Sequence, residues 1–378
     1  MLQIDHIYKI LIKTLIKDFA VFTLPNNVYH DKHHVCNVFN FKNTFNEIFF
    51  IDQEPVIFPL FNPYLDHFLE PLLESPPTNR PIAIVTSEKS ELISKLSQRH
   101  GLKLMYYFFH GFAALDWYRG YYALNHNKQT VKEYQYDFVS YNRIINNDRS
   151  YRIYLVSRLA ELGLLDNGQV SFNVTDNPND DWRDEVADPN TKLSVHARQH
   201  AEYYLPSINK LIIDKPELPG SASADIPDDV DAFWHVVTET VFYYDKLHLT
   251  EKIFKPIVSK QPFMLLAAPG NLEYLRSYGF KTFDGIIDES YDKIIDNDQR
   301  IDAVVEQLHW YCNLSPEEKQ RIIERLAPIV EYNFHHFYGE FKHIITRELL
   351  DNCKTLFKEI GYDDSTIAYD DIYKVLTN

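Results

Sequence analysis

Glycine is scarce in this chain, 11 in 378 residues, and the few present build no phosphate-cradling loop. Neither the Gly-x-Gly-x-x-Gly turn of dinucleotide-binding folds nor the Gly-rich, lysine-ended loop of P-loop NTPases occurs. That argues against a nicotinamide-dependent dehydrogenase, a nucleotide-sugar epimerase and a P-loop enzyme. Cysteine is scarcer still. Cys36, Cys312 and Cys353 are far apart, odd in number and without metal-ligand spacing, as expected for thiols of a reducing compartment rather than a disulfide framework. No apolar run approaches the ~20 residues that a membrane span needs. The N-terminal stretch is broken by Asp5, His6, Lys9, Lys13 and Lys17, so no secretory signal is expected and the cytoplasm is the expected compartment. Basic residues are outnumbered, 38 Lys and Arg against 54 Asp and Glu, giving a net charge of −16. Such a balance disfavours non-specific binding to a polyanion, although it does not exclude a local basic cleft.

What the chain has in quantity is apolar and aromatic surface, 45% hydrophobic residues with 26 Tyr and 25 Phe. Its length suggests two domains. Short apolar runs at Glu47–Ile51, Ile82–Val85, Leu102–Phe109, Asp137–Tyr141, Lys210–Asp214, Phe233–Thr238, Phe263–Ala267 and Thr282–Ile286 predict buried parallel strands. Helical patterns follow several of them, as at Ser87–Ser97 and Arg149–Leu162. Strand alternating with helix predicts an α/β fold. The pattern runs twice, with a polar linker at Asn125–Tyr136 and exposed loops at Asn173–Asn190 and Lys215–Asp231. The expected organisation is therefore an N-terminal domain over 1–130, a second α/β domain over 131–314, and C-terminal helices over 315–378 packing partly back on the first domain. Ser315 with Glu318 has capping-box spacing, and Pro328 is expected to kink or break the helix that follows.

In open α/β sheets, ligands bind beyond the carboxyl ends of the strands. Asp52 and Glu54 follow the first run and can serve as a general base or sit in an ordinary strand-to-helix turn. His110 and Asp116 follow the Leu102–Phe109 run; His110 suits proton transfer near neutral pH or a satisfied place in the core, and Trp117 and Tyr118 suit stacking or packing. Arg143, Arg149 and Arg152 surround the first helix of the second domain, where arginines and backbone N–H groups can clamp a diphosphate; Arg158, deeper in the helix, is expected to be structural. After the Phe233–Thr238 run comes Glu239, then Thr250-Glu251-Lys252 opening a helix, with Thr250 as its cap.

The stretch LTEKIFKPIVSKQPFMLLAAPG, together with Glu239, resembles the donor-binding segment of GT-B glycosyltransferases. It is most similar to the alpha-1,3-fucosyltransferase and exostosin-like groups, and the chain also resembles phage-encoded glycosyltransferases. The resemblance is specific over about 60 residues and architectural elsewhere. FWHVVTE departs from the fucosyltransferase pattern Phe-Glu-Asn-Ser. The resemblance implies two facing Rossmann-like domains, the first for acceptor and the second for a nucleotide-diphosphate sugar. By the same resemblance Glu239 and Glu251 hold ribose or sugar, Lys252 the diphosphate, and Arg143 approaches the phosphates. Asp52, Glu54, His110 or Asp116 would deprotonate an acceptor hydroxyl if the reaction inverts. Enzymes of this architecture often need no metal, so no metal and no cofactor beyond the sugar nucleotide are expected. The acceptor implied by the phage resemblance is a hydroxymethylated DNA base, and a glycan is the other candidate. The alternative is a catalytically inactive nucleic-acid-binding protein of the same fold; a monomer or homodimer is expected in either case.

Overall fold

A computed structural model describes residues 20–24, 48–52, 82–87, 89–101, 103–128, 134–173, 181–208, 211 and 231–360. The chain divides into two compact units, Met1–Asp116 with Lys342–Asn378, and Trp117–Phe341. The division predicted from the sequence lies at 130/131, with the helices from 315 set apart.

In the first unit, strands β1 (Ala20–Leu24), β2 (Ile48–Asp52), β3 (Ile82–Thr86) and β4 (Lys103–Tyr106) form one parallel sheet in the order β1-β2-β3-β4. Helix α1 (Glu91–His100) connects β3 to β4. Ser90 caps it by accepting the Ile93 N–H at 3.3 Å, and Gly101 ends it in the left-handed conformation that a side chain would resist. The strand predicted over Leu102–Phe109 is shorter than expected. It stops at Tyr106, and Phe109–Trp117 forms helix α2, buried along most of its length. From Leu104 to Phe109 the run is apolar throughout and carries no periodicity to separate strand from helix.

The second unit is built on β5 (Tyr136–Asn142), β6 (Gly168–Phe172), β7 (Ala232–Thr238) and β8 (Phe263–Leu266), again all parallel, in the order β6-β5-β7-β8. Every residue of β7 is buried, as a strand covered on both faces requires. Helix α4 (Tyr151–Glu161) follows β5, after the short helix α3 (Tyr121–Asn125). Helices α5 (Trp182–Ala187) and α6 (Val195–Tyr204) follow β6, and α7 (Glu251–Val258) and α8 (Asn271–Ser277) flank β8. Helix α9 (Asn297–Cys312) packs against α4.

Strand β6, GQVSF, has too few apolar residues to stand out in the sequence. Its pairing with β5 rests on Gly168, because a Cβ there would enter the Phe138 ring. Of the predicted Lys210–Asp214 strand, Leu211 forms a single bridge to Phe172 and the other residues lie outside the described set. Thr282–Ile286 is a turn and not the predicted strand: Gly285 has φ 77°, and the buried Glu289 carboxylate accepts the Thr282 hydroxyl at 2.7 Å and the Phe283 N–H at 2.6 Å.

Helix α10 (Pro316–His336) starts with the expected capping box, Ser315 and Glu318 each accepting from the other's backbone. Pro328 does not break it. Ile322, Ile323, Leu326, Val330 and Phe334 form a buried stripe across the proline, and that burial outweighs the backbone hydrogen bond lost there. A π-helical turn, Phe337–Phe341, then leads to α11 (Lys342–Ile360), which belongs to the first unit. There Cys353 Sγ sits 3.4 Å from Met105 Sδ and Asn352 donates to the Tyr106 carbonyl at 2.8 Å.

Replacing Gly168 by Ala is expected to destabilise the second unit by about 1–3 kcal/mol through overpacking. Adding Phe138→Leu should recover part of the loss in urea unfolding. Equal midpoints for Gly168→Ala and wild type would show that the ring yields freely.

Candidate functional site

The strand order of the second sheet has one consequence for chemistry. From β5 the chain passes outward to β6, then crosses to β7 on the opposite side of β5. The chain direction thus switches between β5 and β7, and open α/β sheets take ligands beyond the carboxyl ends of strands at such a point. Ser140 pairs with Val236, and the constant register brings Asn142 level with Thr238. Arg143 follows the first, Glu239 and Thr240 the second.

The loop after β7 is pinned along its length. Arg152 donates from one terminal nitrogen to the Ile144 carbonyl at 2.9 Å and from the other to the Thr238 carbonyl at 2.8 Å, tying the two strand ends together. Tyr151 donates its hydroxyl to the Glu239 carbonyl at 2.7 Å. Phe242 lies between the Tyr151 ring, 3.9 Å away by centroid, and the Arg300 guanidinium, 4.2 Å away. Arg300 also donates to the Phe242 carbonyl at 3.0 Å. Further along, Ser150 and Tyr243 share a hydrogen bond of 2.8 Å, and Asp148 accepts from Tyr244 at 2.8 Å and from Lys192. The returning strand of chain is held by Asn271, whose amide accepts the His248 N–H at 2.8 Å and donates to the Lys246 and Ala268 carbonyls.

These restraints converge on one polar cluster. Glu239 is fully buried. Its Oε1 accepts the Thr250 N–H at 3.0 Å; its Oε2 accepts the Thr250 hydroxyl at 2.6 Å and the Thr240 N–H at 3.3 Å. Burial pushes its carboxyl above the usual carboxylate range, against the opposing pull of Lys252 and of the Thr250 donors. Thr250 caps α7 by accepting the Lys252 N–H at 3.3 Å. The Lys252 ammonium donates to Thr240 Oγ1 and Thr250 Oγ1, each at 3.2 Å, and to Glu251 Oε1 at 2.9 Å. Its side chain keeps 17% of its surface in solvent, against 5% for Glu251. Behind the cluster, Phe254 seats α7 against Phe280, Phe337 and Phe341.

Of the predicted donor residues, Glu239, Thr250, Glu251 and Lys252 thus meet within hydrogen-bonding distance. Arg143 and Arg149 are half-buried in the β5-to-α4 connection. Arg152 is buried and engaged with backbone carbonyls, so its expected role as a phosphate clamp is replaced by a structural one. Glu239 is fully buried, and its two oxygens accept from Thr240 and Thr250. Arg158 pairs with Asp302 and Glu161, as a structural residue should. Thr240, Tyr151 and Arg300 escaped the sequence; Thr240 was findable as the next residue beyond a strand end, whereas the other two act through backbone carbonyls that leave no motif.

Two of the predicted bases are buried. His110 and Asp116 sit within α2 at 7% and 8% exposure. Asp52 ends β2, its side chain outside the described residues, and Glu54 lies outside them altogether. Among the described residues no group of three or more His, Cys, Asp or Glu has the geometry of a metal site, and no helix is long and apolar enough to cross a membrane. The two acids of Asp296-Asn297-Asp298 are engaged around helix starts: Asp296 accepts the Gln299 N–H at 2.9 Å, Asn297 accepts from Arg300 at 2.7 Å, and Asp298 accepts from Ser194. No protein-family model matches the chain, and no curated protein or solved structure matches it.

Two histidines beneath the site make the unit sensitive to acid. Burial, with Lys255 nearby, pushes His235 on β7 down to about 3; burial, with Arg158 and His196, pushes His200 down to about 4, both from an ordinary 6.5. Folding therefore favours their neutral forms. Their contribution is complete above the unfolded value and is lost as pH falls from 6.5 toward 3–4. Each histidine should cost up to ~1.4 kcal/mol per pH unit in that window. Urea midpoints measured from pH 7 to about pH 4.5 should fall, and His235→Gln should flatten the slope by about one proton. An unchanged slope would contradict the shift.

Proposed function

We propose that this chain is a glycosyltransferase that takes a sugar from a nucleotide-diphosphate donor to an acceptor hydroxyl, with the donor's diphosphate received at the carboxyl ends of β5 and β7. The supporting observation is that a half-buried arginine follows the carboxyl end of β5 and a capped helix start with a partly exposed lysine lies in the connection after β7: Arg143, the first turn of α7, and Lys252. When the bond between the sugar's anomeric carbon and the phosphate oxygen breaks, the electron pair stays on the diphosphate. Lys252, Arg143 and the first N–H groups of α7 are suited to bear that charge. The loop after β7 is rigidly tied, so these donors need little reorganisation during reaction. If configuration inverts, the acceptor hydroxyl must also lose its proton to a general base.

Calorimetry with uridine and guanosine diphosphate tests the donor site. Lys252→Ala should lower the affinity for the preferred diphosphate at least about tenfold, roughly 1.4 kcal/mol, in a chain that still unfolds cooperatively. Incubation with a panel of sugar nucleotides should release free nucleoside diphosphate slowly by hydrolysis. Full-strength binding in the lysine variant would overturn the assignment.

A further inference from the structure

We propose that Glu239 is a positioning residue: it acts on the diphosphate without touching it, by setting the direction of the Thr250 hydroxyl and thereby the place of the Lys252 ammonium. This rests on the donor site proposed above.

A threonine hydroxyl has one proton and two lone pairs. The 2.6 Å contact to Glu239 Oε2 takes the proton. Both lone pairs are then free to face Lys252, whose backbone N–H lies 3.3 Å and whose ammonium lies 3.2 Å from the same oxygen. An ammonium offers hydrogens and no acceptor, so it can be held only by an oxygen presenting electrons. Glu239 also accepts the Thr250 N–H, fixing the residue's backbone, and the Thr240 N–H, fixing the residue that supplies a further oxygen to the ammonium at 3.2 Å. Two of the three oxygens around Lys252 are thus oriented by one carboxylate that solvent does not reach.

The sign of the effect separates this role from simple charge. Removing an acid beside a phosphate site strengthens anion binding if charge alone matters. Positioning predicts the reverse. In Glu239→Gln the amide nitrogen facing Thr250 donates rather than accepts, the hydroxyl loses its fixed direction, and the lysine loses an oxygen.

Calorimetry with uridine and guanosine diphosphate should show Glu239→Gln weakened about tenfold for the diphosphate that wild type prefers. Thr250→Val should match it, Thr250→Ser should retain wild-type affinity, and Glu239→Gln with Thr250→Val should be no weaker than Thr250→Val alone. Tighter or unchanged binding in Glu239→Gln, or full additivity in the double variant, overturns the inference. If Glu239→Gln does not fold, the threonine pair decides: equal affinities for Thr250→Val and Thr250→Ser overturn it. The failure of the donor site itself looks different. There, Lys252→Ala binds like wild type, or wild type binds neither diphosphate, and both proposals fall together.

Discussion

A carboxylate removed from water must be satisfied or it costs several kcal/mol. Glu239 meets that demand with two backbone N–H groups and one hydroxyl, all from the two ends of a single loop. The consequence spreads outward. Thr240 and Thr250, separated by ten residues, are brought to the same ammonium, and α7 begins directly after the residue that Glu239 holds.

The arginines divide by task. Arg152 and Arg300 are buried, and each uses the planar fork of the guanidinium to collect carbonyl oxygens at strand and loop ends. Such oxygens are numerous where parallel strands stop, because the ladder ends and no helix has yet begun. Half-buried Arg143 and Arg149 lie in the same connection. Buried and half-buried arginines thus lie within a few residues of each other around the start of α4, and residue type does not separate them.

The aromatic content has a comparable double use. Phe242 between Tyr151 and Arg300, and Phe254 among Phe280, Phe337 and Phe341, fix the front loop and the back of α7 respectively. Rings bring large contact area with few rotatable bonds, so they hold backbone at low entropic cost. In a chain with so few glycines, the tight approaches that remain are informative. Gly168 lies under Phe138, and Gly270 turns with φ 84° into α8.

Local pattern settled the elements whose signals lie within a few residues: the apolar runs of β5, β7 and β8, the capping box at Ser315 and the cap at Thr250. Those follow from periodicity and from backbone groups that must find partners nearby. Folding settled the remainder. Whether LKLMYYFF continued as strand, whether GQVSF paired at all, whether α10 survived Pro328, and whether Glu239 faced a ligand or Thr250 each turned on contacts between distant segments. A side chain's chemistry is written in its type, but its partner is chosen by burial, and burial is a property of the packed chain.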